Sequence, residues 1–451
     1  MLDQTIFREY DIRGIADVQL TSEGIKQLGH AIGSFLLRKG AHTVNVGRDA
    51  RLSGPRLRDA LIEGLLNSGA DVVDLGMVPT PVLYYSVHKF GADGGVMITG
   101  SHNPSEYNGF KTMFGHGTLY GADIQEIYRM ISERDLEMGC GTLSEVDAVT
   151  PYVDELAASF SFPRRVKAVF DNGNGAAGIV LTRLLAKLNV EATELFFEPD
   201  GTFPNHHPDP TVESNLDQMK AAVARTGSEL GLAFDGDGDR LGATDEHGNI
   251  VWGDMLMLIF GREILSRKPG ATFIGEVKCS QLMYDELARL GGNPIMYKTG
   301  HSLIKAKMKE THAELAGEMS GHMFFADRYY GFDDAIYAAC RLLEIVAASG
   351  QPLSAQTAGL PKMIVTPELR VDCDDNRKFD VVAKVREHFK RTHKTIEIDG
   401  ARVLFEHGWG LVRASNTQPI LVLRFEADSV GRLAEYRQTV EAVVQSYLQR
   451  T

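Results

Sequence analysis

The segment VMITGSHNPSEYNGFK, residues 96–111, begins as an apolar run and changes at once into a polar turn. The apolar part has the length and composition of a buried strand, and the turn brings Ser101, His102 and Asn103 to its end. In open α/β folds, ligands bind at the carboxyl ends of the strands. A polar turn closed by Asn-Pro is the simpler interpretation of this segment alone. Further polar loops at strand ends would favour a binding site.

The rest of the chain predicts an α/β protein with several domains. TVNVG (43–47), PRLRDALIEGLLNSG, ADVVDLG, TPVLYYSVHKFG and GGVMITG form a β-α-β-α-β series that ends at Ser101. The same alternation recurs in residues 165–240 and again in residues 271–322. A period of roughly a hundred residues is too long for a solenoid and indicates three related mixed-sheet α/β domains.

The last part of the chain has a different pattern. From about residue 362 a strand-like run, a helix-like segment at 378–391, paired strands and a final amphipathic helix predict a smaller C-terminal α+β domain. We therefore expect four domains, at residues 1–148 with the Ser101 loop, 149–251 with a metal-binding loop, 252–361 with a sugar-binding loop and 362–451 with a phosphate-binding loop.

Composition limits the kinds of partner. The 451 residues are 43% hydrophobic and carry a formal charge of −13 without a long basic run, which argues against a nucleic-acid partner. The four cysteines lie far apart, so they indicate neither a zinc site nor a disulfide framework and are typical of a reducing cytoplasm. The N-terminus has no apolar core followed by a small-residue cleavage site, and no stretch is long enough to span a membrane. We expect a cytoplasmic protein without a membrane partner.

The most specific motif is AFDGDGDRLG, in which Asp235, Asp237 and Asp239 alternate with glycines. Alternate carboxylates in an extended loop converge on one hard divalent cation, and the glycines allow the tight backbone that this requires. A solvated acidic turn is the simpler alternative. An EF-hand loop is excluded because its sixth position should be glycine, whereas this chain has Arg240 there.

A second glycine motif supports a different hypothesis. Gly173, Gly175 and Gly178 in FDNGNGAAG match G-x-G-x-x-G between a strand and a helix, and Glu194 or Glu198 lies roughly where a ribose-binding acid belongs. A nucleotide-linked oxidoreductase is therefore an alternative, although it leaves the triple aspartate unexplained. A non-catalytic binder of sugar phosphates or metal is another.

Further loops carry groups suited to anions. They contain Arg8 and Arg13 (FREYDIRG), His301 (YKTGHS), Glu318, Ser320 and His322 (GEMSGH), and Arg413, Ser415, Asn416 and Thr417 (VRASNTQP). Hydroxyl and amide donors beside one guanidinium are well suited to phosphate oxygens. Each loop alone has an ordinary structural interpretation, but together they describe a cation, a serine and several anion-binding loops.

The ordered motifs YDIRG, TGSHNPSEYNGFK, DGDGDR, GEMSGH and RASNTQP resemble the α-D-phosphohexomutase superfamily, in particular its bacterial phosphomannomutase/phosphoglucomutase branch. The resemblance covers essentially the whole chain. It implies four domains around a central cleft, an active-site phosphoserine and bound Mg²⁺. It also implies reversible phosphoryl transfer between the 1- and 6-positions of mannose or glucose phosphates through a 1,6-bisphosphate. Glucose 1,6-bisphosphate or mannose 1,6-bisphosphate would serve as activator, and the protein would be a monomer or a weak homo-oligomer.

The resemblance also implies residue roles. Ser101 would carry the phosphate and, with Asp235, Asp237 and Asp239, complete the magnesium site; His102, Lys111 and Arg240 would surround the transferring phosphate. Substrate contacts would come from Arg8, Tyr10, Lys278, His301, Glu318, Ser320 and His322, and the distal phosphate would be held by Arg413, Ser415, Asn416 and Thr417. His301, Lys111 or Arg13 would assist proton transfer, and the sequence does not choose among them. Phosphoglucosamine mutases are the nearest alternative, but they usually read TDGIRG and GEQSGH where this chain has EYDIRG and GEMSGH.

Overall fold

The structure is a computed structural model that describes residues 2–416 and 418–449. Thr417, one of the residues expected to bind phosphate, lies outside the described residues. The chain forms two compact units. The first comprises Met1–Leu256 with Ser320–Gln356, and the second comprises Met257–Met319 with Thr357–Thr451.

The first unit begins with a mixed sheet that contains the Ser101 loop. After a 3₁₀ turn at Gln4–Ile6, its elements are β1 (Ile12–Ile15), α1 (Ser22–Arg38), β2 (Thr43–Arg48), α2 (Gly54–Ser68), β3 (Asp71–Met77), α3 (Thr80–Lys89), β4 (Gly94–Ile98), β5 (Tyr107–Phe114), β6 (Gly117–Thr118), α4 (Ala122–Glu133) and β7 (Leu143–Glu145). The strand order is β1-β5-β4-β2-β3-β7, with β6 on β5. Strand β4 is buried along its whole length, as expected for a central strand of a helix-covered sheet.

The second sheet of this unit holds the aspartate motif. Its elements are α5 (Val149–Ser159), β8 (Val166–Asp171), α6 (Gly178–Leu185), β9 (Val190–Leu195), a 3₁₀ turn (Glu213–Leu216), α7 (Asp217–Thr226), β10 (Leu230–Phe234), β11 (Leu241–Asp245) and β12 (Ile250–Val251), and the strand order is β12-β11-β10-β8-β9. Strands β10 and β11 form an antiparallel pair in which Phe234 is opposite Leu241. Residues 235–240 are therefore one tight hairpin loop, which brings the three carboxylates together.

The second unit begins with three parallel strands. Its elements are α8 (Gly253–Arg267), which runs across the boundary from the first unit, β13 (Thr272–Glu276), α9 (Gln281–Arg289), β14 (Asn293–Tyr297), α10 (His301–Thr311) and β15 (Leu315–Gly317). Strand β13 pairs in parallel with β14 on one side and β15 on the other. The carboxyl ends of all three strands therefore lie at one edge of the sheet, and so do the loops that follow them.

The chain then returns to the first unit, where it forms β16 (Met323–Phe325), α11 (Ala335–Ser349) and a 3₁₀ turn at Leu353–Thr357. The C-terminal part of the second unit is an antiparallel sheet with two helices. It consists of β17 (Ile364–Val365), β18 (Leu369–Asp372), α12 (Lys378–Phe389), β19 (Thr395–Ile396), β20 (Ala401–Phe405), β21 (Gly408–Ala414), β22 (Ile420–Ala427) and α13 (Val430–Leu448), in the order β17-β22-β21-β20-β19 with β18 also on β22. Residues of α12, α13 and the sheet share one apolar core.

Two buried arginines join the C-terminal sheet to the loop after β13. Arg402 donates hydrogen bonds to the carbonyl oxygens of Val277 (2.6 Å) and Cys279 (2.9 Å), and Arg424 donates to that of Lys278 (2.5 Å). The Arg402 guanidinium also stacks over the Trp409 ring, 3.9 Å from its centroid. The C-terminal sheet is therefore an integral part of the second unit.

The predicted fold class is confirmed at the level of the sheets: three α/β sheets are followed by a smaller α+β domain. The compact units do not follow the predicted domain boundaries, because Ser320–Gln356 belongs to the first unit, so those boundaries stay a prediction. Within the described residues no helix combines the length and the apolar character needed to cross a bilayer.

Candidate active site

Ser101 sits at the end of β4 in an unusual backbone conformation. Its φ is 49°, in the left-handed region that a residue with a side chain seldom adopts, and the residue is 2% exposed. The Ser101 amide donates to Thr99 Oγ1 at 2.8 Å, which helps to hold this geometry. The surroundings therefore impose a conformation that the serine alone would not favour.

The main support of this loop is Arg51, a fully buried residue that the sequence analysis did not single out. Its guanidinium donates to four carbonyl oxygens of the loop, those of Ser101 (2.8 Å), Asn103 (2.6 Å), Pro104 (2.5 Å) and Tyr107 (2.9 Å). Because four backbone groups share one rigid donor, the guanidinium fixes the shape of the whole loop.

Asp49 and Gly100 complete this support. Asp49 accepts from Arg51 Nε (3.2 Å), from the Thr99 hydroxyl (2.7 Å) and from the Gly100 amide (3.2 Å). A Cβ on Gly100 would lie 2.4 Å from Arg51 Cζ, so the guanidinium occupies the space that a side chain would need. Arg51 and Asp49 follow β2, the strand that neighbours β4, which is the one sequence signal that could have indicated them.

The three aspartates of the hairpin loop are fully buried beside Ser101. The Ser101 hydroxyl donates to Asp235 Oδ2 at 2.7 Å, and Asp235 Oδ1 accepts from the amides of Asp239 (3.0 Å) and Arg240 (3.1 Å). Asp235, Asp237 and Asp239 each offer an oxygen, and these oxygens lie within 4.8 Å of one another. The structure thus brings together the serine and the three carboxylates that the sequence analysis grouped.

Lys111 supplies positive charge to this cluster. Its Nζ, on β5, lies 2.7 Å from Asp237 Oδ2 and 2.5 Å from Asp239 Oδ2. Burial disfavours the charged amine, but the carboxylates of Asp237 and Asp239 outweigh burial and hold the pKa of Lys111 well above its ordinary value. Lys111 is therefore an ammonium group rather than a base.

One ammonium does not balance three carboxylates. Burial and the charges of Asp237 and Asp239 raise the pKa of Asp235 well above its ordinary value. Asp237 Oδ1 and Asp239 Oδ1 are buried and accept no hydrogen bond from the described residues. Buried oxygens without a donor are costly, and a hard cation with oxygen ligands would relieve both the repulsion and the missing contacts. The residues present therefore fit Mg²⁺.

Arg240 and His322 lie at the other side of the cluster. Arg240 Nε donates to His322 Nε2 at 2.9 Å, so Nε2 is the acceptor and the neutral ring carries its proton on Nδ1. Nδ1 lies 3.1 Å from Asp333 Oδ2 and 3.5 Å from Asp239 Oδ1. Asp239, His322 and Asp333 are also close enough together to hold an ion, and Asp239 is shared with the cluster of three aspartates.

The N-terminal loop contributes Arg13. Arg13 donates to Asn103 Oδ1 (3.0 Å) in the Ser101 loop and pairs with Asp11 Oδ2 (2.5 Å). Arg8 and Tyr10 lie just before β1, where the Arg8 amide donates to the Asp11 carbonyl (3.0 Å) and the Tyr10 side chain is buried. The structure therefore brings Arg13 to the Ser101 loop and places Arg8 and Tyr10 in the adjoining segment.

His102 is half-buried, and its Nδ1 lies 3.2 Å from the Ser101 hydroxyl oxygen. Burial, followed by the charges of Arg240 and Arg13, holds the pKa of His102 well below its ordinary value. His207, which the sequence analysis did not single out, hydrogen-bonds through Nε2 to the His102 carbonyl oxygen. A neutral imidazole is therefore held against the serine.

The GNGAAG loop has a structural role of its own. A Cβ on Gly175 would lie 2.9 Å from the Gly236 carbonyl oxygen, and one on Gly178 would lie 2.0 Å from the Phe197 carbonyl oxygen. The Ala176 amide donates to the Gly236 oxygen at 3.0 Å. Packing against the aspartate loop at Gly175, packing against the Phe197 carbonyl at Gly178 and a φ of 50° at Gly173 thus account for the glycine spacing on which the dinucleotide alternative rested.

Three predicted substrate residues lie in the second unit, each just after a strand or at the start of a helix. Lys278 follows β13, His301 is the first residue of α10, and Glu318 follows β15. Glu318 Oε1 accepts from the Gly300 amide at 3.0 Å, and Lys278 Nζ pairs with Glu368 Oε1 at 3.0 Å. The GEMSGH motif crosses the unit boundary, so Ser320 and His322 belong to the first unit.

Arg413 is the penultimate residue of β21 in the second unit, and Ser415 and Asn416 follow that strand. Arg413 Nε donates to Asp399 Oδ2 at 2.9 Å, and the same oxygen accepts from the Thr299 amide at 3.1 Å. Ser415 Oγ accepts from the Gln418 amide at 3.1 Å. Asp399, which the sequence analysis did not single out, therefore links Arg413 to the loop that precedes His301.

Family models match four consecutive segments of the chain. They are described as phosphoglucomutase/phosphomannomutase α/β/α domain I (residues 4–138), domain II (150–248), domain III (252–363) and C-terminal domain (368–443).

Similar proteins cover almost the whole chain. A phosphomannomutase/phosphoglucomutase of Pseudomonas putida is 47% identical over 96% of this chain and 94% of its own length. A phosphoglucomutase of Neisseria gonorrhoeae is 44% identical over 99% and 98%. A crystal structure of a phosphoglucomutase/phosphomannomutase family protein from Burkholderia thailandensis superposes with a TM-score of 0.94 at 43% identity, covering 100% of this chain and 99% of that one.

Proposed function

The chain belongs to the phosphoglucomutase/phosphomannomutase family, and from this premise we propose that it transfers a phosphoryl group reversibly between the 1- and 6-positions of hexose phosphates. The observation that carries the proposal is the buried Ser101 hydroxyl, 2.7 Å from Asp235 within a cluster of three carboxylates and one ammonium. This arrangement suits a serine that carries a phosphate beside a divalent cation.

Ser101 is the phosphate carrier in this proposal. In the first transfer the bond between Ser101 Oγ and phosphorus breaks, a bond from a sugar hydroxyl oxygen to phosphorus forms, and the hydroxyl proton leaves while the serine oxygen takes up a proton. The bisphosphate then reorients, and the reverse step returns the other phosphate to Ser101. After transfer the serine hydroxyl lies between Asp235 Oδ2 (2.7 Å) and His102 Nδ1 (3.2 Å).

Charge on the transferring phosphate is balanced from several sides. Asp235, Asp237 and Asp239 would hold Mg²⁺, which when bound offsets negative charge on the phosphoryl oxygens. Lys111 and Arg240 add fixed positive charge, and their positions are set by contacts already present. Little reorganisation is needed when the phosphate moves.

Among the three candidates for proton transfer, we assign the role to His301. The raised pKa of Lys111 keeps it charged, and the Arg13 guanidinium is engaged with Asp11 and Asn103. Imidazole is the group whose ordinary pKa lies near neutral pH, which suits exchange of a proton with a sugar hydroxyl.

Substrate contacts complete the proposal. Arg8, Tyr10, Lys278, Glu318, Ser320 and His322 bind the sugar phosphate, and Arg413, Ser415, Asn416 and Thr417 hold the phosphate that is not being transferred. Glucose 1,6-bisphosphate or mannose 1,6-bisphosphate restores phosphate to Ser101 when it is lost. We further propose that the enzyme is cytoplasmic and is a monomer or a weak homo-oligomer.

The relatives' names support mannose and glucose phosphates as substrates, and a coupled assay tests this choice. The purified protein is given the 1-phosphates of mannose, glucose and glucosamine with Mg²⁺ and a 1,6-bisphosphate, and Ser101→Ala is the control. We expect turnover of the two hexose phosphates and its loss in Ser101→Ala. Preference for glucosamine 1-phosphate would establish the phosphoglucosamine mutase alternative, and binding without turnover would establish a sugar-phosphate binder.

A further inference from the structure

One buried carboxylate contacts all three loops that follow the parallel strands of the second unit. Glu276, the last residue of β13, is fully buried. Its Oε2 accepts from the Lys278 amide (3.0 Å) and the Thr299 hydroxyl (2.7 Å), and its Oε1 accepts from the Met319 amide (3.3 Å). These donors belong to the loops after β13, β14 and β15, respectively.

Each of these loops carries, or leads directly into, one residue that we assign to the substrate or to proton transfer. Lys278 is itself in the first loop, His301 lies two residues after Thr299, and Glu318 directly precedes Met319. The Gly300 amide also donates to Glu318 Oε1 at 3.0 Å, so the second and third loops are joined directly as well. Asp399 extends these contacts to Arg413 in β21, because the Thr299 amide and Arg413 Nε both donate to Asp399 Oδ2.

We propose that Glu276 is a positioning residue that holds the loops of Lys278, His301 and Glu318 in one mutual register, and that Asp399 extends this register to Arg413. The inference rests on the proposed function for the substrate roles of Lys278, His301, Glu318 and Arg413, but the hydrogen bonds themselves do not depend on it. Residues that read different parts of one sugar phosphate must keep fixed distances from one another, and separate loops seldom do so without a shared contact.

The chemistry of the partners requires a carboxylate rather than an amide. The three groups that hydrogen-bond to the Glu276 carboxylate all donate a hydrogen, and a carboxylate accepts on both oxygens. The Lys278 ammonium also lies 3.6 Å from Glu276 Oε1, so a charged carboxylate suits this position further. In Glu276→Gln one oxygen becomes an NH₂ group, so at least one loop then faces a donor. In Glu276→Asp the side chain is one methylene shorter. It still reaches the Lys278 amide two residues away, as in a local Asx turn, but not the more distant loops.

Hydrogen exchange measured by mass spectrometry tests the register without requiring activity. The full-length protein is compared with Glu276→Gln, Glu276→Asp and Glu426→Gln. Glu426 is a matched control: it is fully buried in the same unit and accepts from Trp409 Nε1 (2.8 Å) and the Gln281 amide (3.1 Å), neither of which we assign to the substrate.

In Glu276→Gln we expect peptides covering residues 298–301 and 317–320 to exchange faster together, by about tenfold or more, since lost buried hydrogen bonds lower the local opening free energy. Glu276→Asp should show the same change there while protection at residues 277–279 is kept. Glu426→Gln should leave residues 298–301 and 317–320 unchanged. Unaltered exchange of these loops in Glu276→Gln, or an equal effect of Glu426→Gln, would overturn the proposal.

The mutase assay separates this inference from the proposed function. If wild type is active, kcat/KM for glucose 1-phosphate should fall about 10- to 100-fold in Glu276→Gln, as expected for the loss of a charged hydrogen bond. Inhibition by inorganic phosphate should change less than the KM for the sugar phosphate. Loop exchange that changes as expected in a protein without mutase activity would refute the proposed function and leave the register intact. An active Glu276→Gln with unchanged kcat and KM would refute the register.

Discussion

Ser101 adopts a left-handed conformation because Arg51 binds the carbonyl oxygens on both sides of the turn. A guanidinium presents several donors in a fixed plane, whereas a lysine ammonium is a single point charge on a flexible stem. Arg51→Lys keeps the charge but releases most of the loop carbonyls. We expect it to lower kcat about 10- to 100-fold, because the phosphate carrier is misplaced, and to cost about 1–3 kcal/mol of unfolding free energy.

Arg341→Lys is the matched control for this substitution. Arg341 is equally buried in the same unit, pairs with Asp327 Oδ2 at 3.0 Å and donates to the Asp327 carbonyl at 3.1 Å, away from the Ser101 loop. It should lose similar stability and keep kcat. Steady-state kinetics and thermal unfolding of both variants measure the difference, and equal kcat values in the two variants would show that Arg51 only stabilises the fold.

Asp237 is the carboxylate whose charge the surroundings support most strongly. Burial opposes its ionisation, but Lys111 and the Thr80 hydroxyl outweigh burial and lower the pKa of Asp237. Asp237→Asn keeps the size and removes the charge. We expect the Mg²⁺ concentration needed for half-maximal activity to rise about tenfold or more, since hard cations prefer charged oxygen ligands.

Activity measured against free Mg²⁺ tests this prediction, with Asp245→Asn as the control. Asp245, the last residue of β11, is a buried carboxylate that accepts from the amides of His247 (2.9 Å) and Asn249 (2.8 Å), outside the cluster. Chelation should silence the native enzyme, and added Mg²⁺ should restore it. Full activity after exhaustive chelation would contradict the metal assignment.

At the residue scale, the spacing of nearby residues predicts which side chains cluster, but the sequence does not predict contacts between distant residues. The alternation of Asp235, Asp237 and Asp239 predicts a cluster because all three share one short loop, and the structure places their oxygens together. Arg51, Glu276 and Asp399 could not be predicted in this way. They act on backbone groups far away in sequence, and a buried side chain that binds carbonyls or amides has no local pattern.

At the element scale, the loops after β8 and β10 are packed so closely that glycine is required. A Cβ on Gly175 would lie 2.9 Å from the Gly236 carbonyl oxygen and 3.0 Å from that of Asp235. Gly175→Ala should therefore displace the aspartate loop, at a cost of about 1–3 kcal/mol in unfolding free energy, typical of overpacking. The Mg²⁺ requirement should rise in the same variant.

Gly431→Ala is the control for this substitution, because a Cβ there meets no atom within 4 Å and the residue lies in the first turn of α13. It should leave stability and the Mg²⁺ requirement nearly unchanged. Thermal unfolding and magnesium titration measure both variants. A Gly175→Ala protein with wild-type stability and magnesium response would show that the two loops are not mechanically coupled.

The alternation of strands and helices was predictable from periodicity, whereas some ends were not. The helix-like segment 378–391 corresponds to α12, which ends at Phe389. The strand-like run after residue 362 is divided at Pro367 into β17 and β18. Proline lacks the amide hydrogen that a strand ladder needs, so the interruption has a clear cause. Glu368, in the break, pairs with Lys278, a contact that periodicity does not indicate.

At the scale of the whole molecule, the sequence predicts the succession of sheets but not the two compact units. Residues 320–356 return to the first unit, and residues 357–451 join the second through Arg402 and Arg424. These associations depend on contacts across more than a hundred residues of sequence, for example Arg402 with Val277, and no periodic pattern encodes them.

The central claim is that Ser101 carries the phosphate between the two ends of the sugar, and pulse-chase labelling tests it most directly. The enzyme is incubated with glucose 1,6-bisphosphate that carries radioactive phosphate, digested, and the labelled peptide is sequenced; a parallel sample is first chased with unlabelled glucose 1-phosphate. We predict label on Ser101 alone, and its transfer into sugar phosphate during the chase. Catalytic turnover with no label on Ser101, or label on Ser101 that the chase does not remove, would contradict the account.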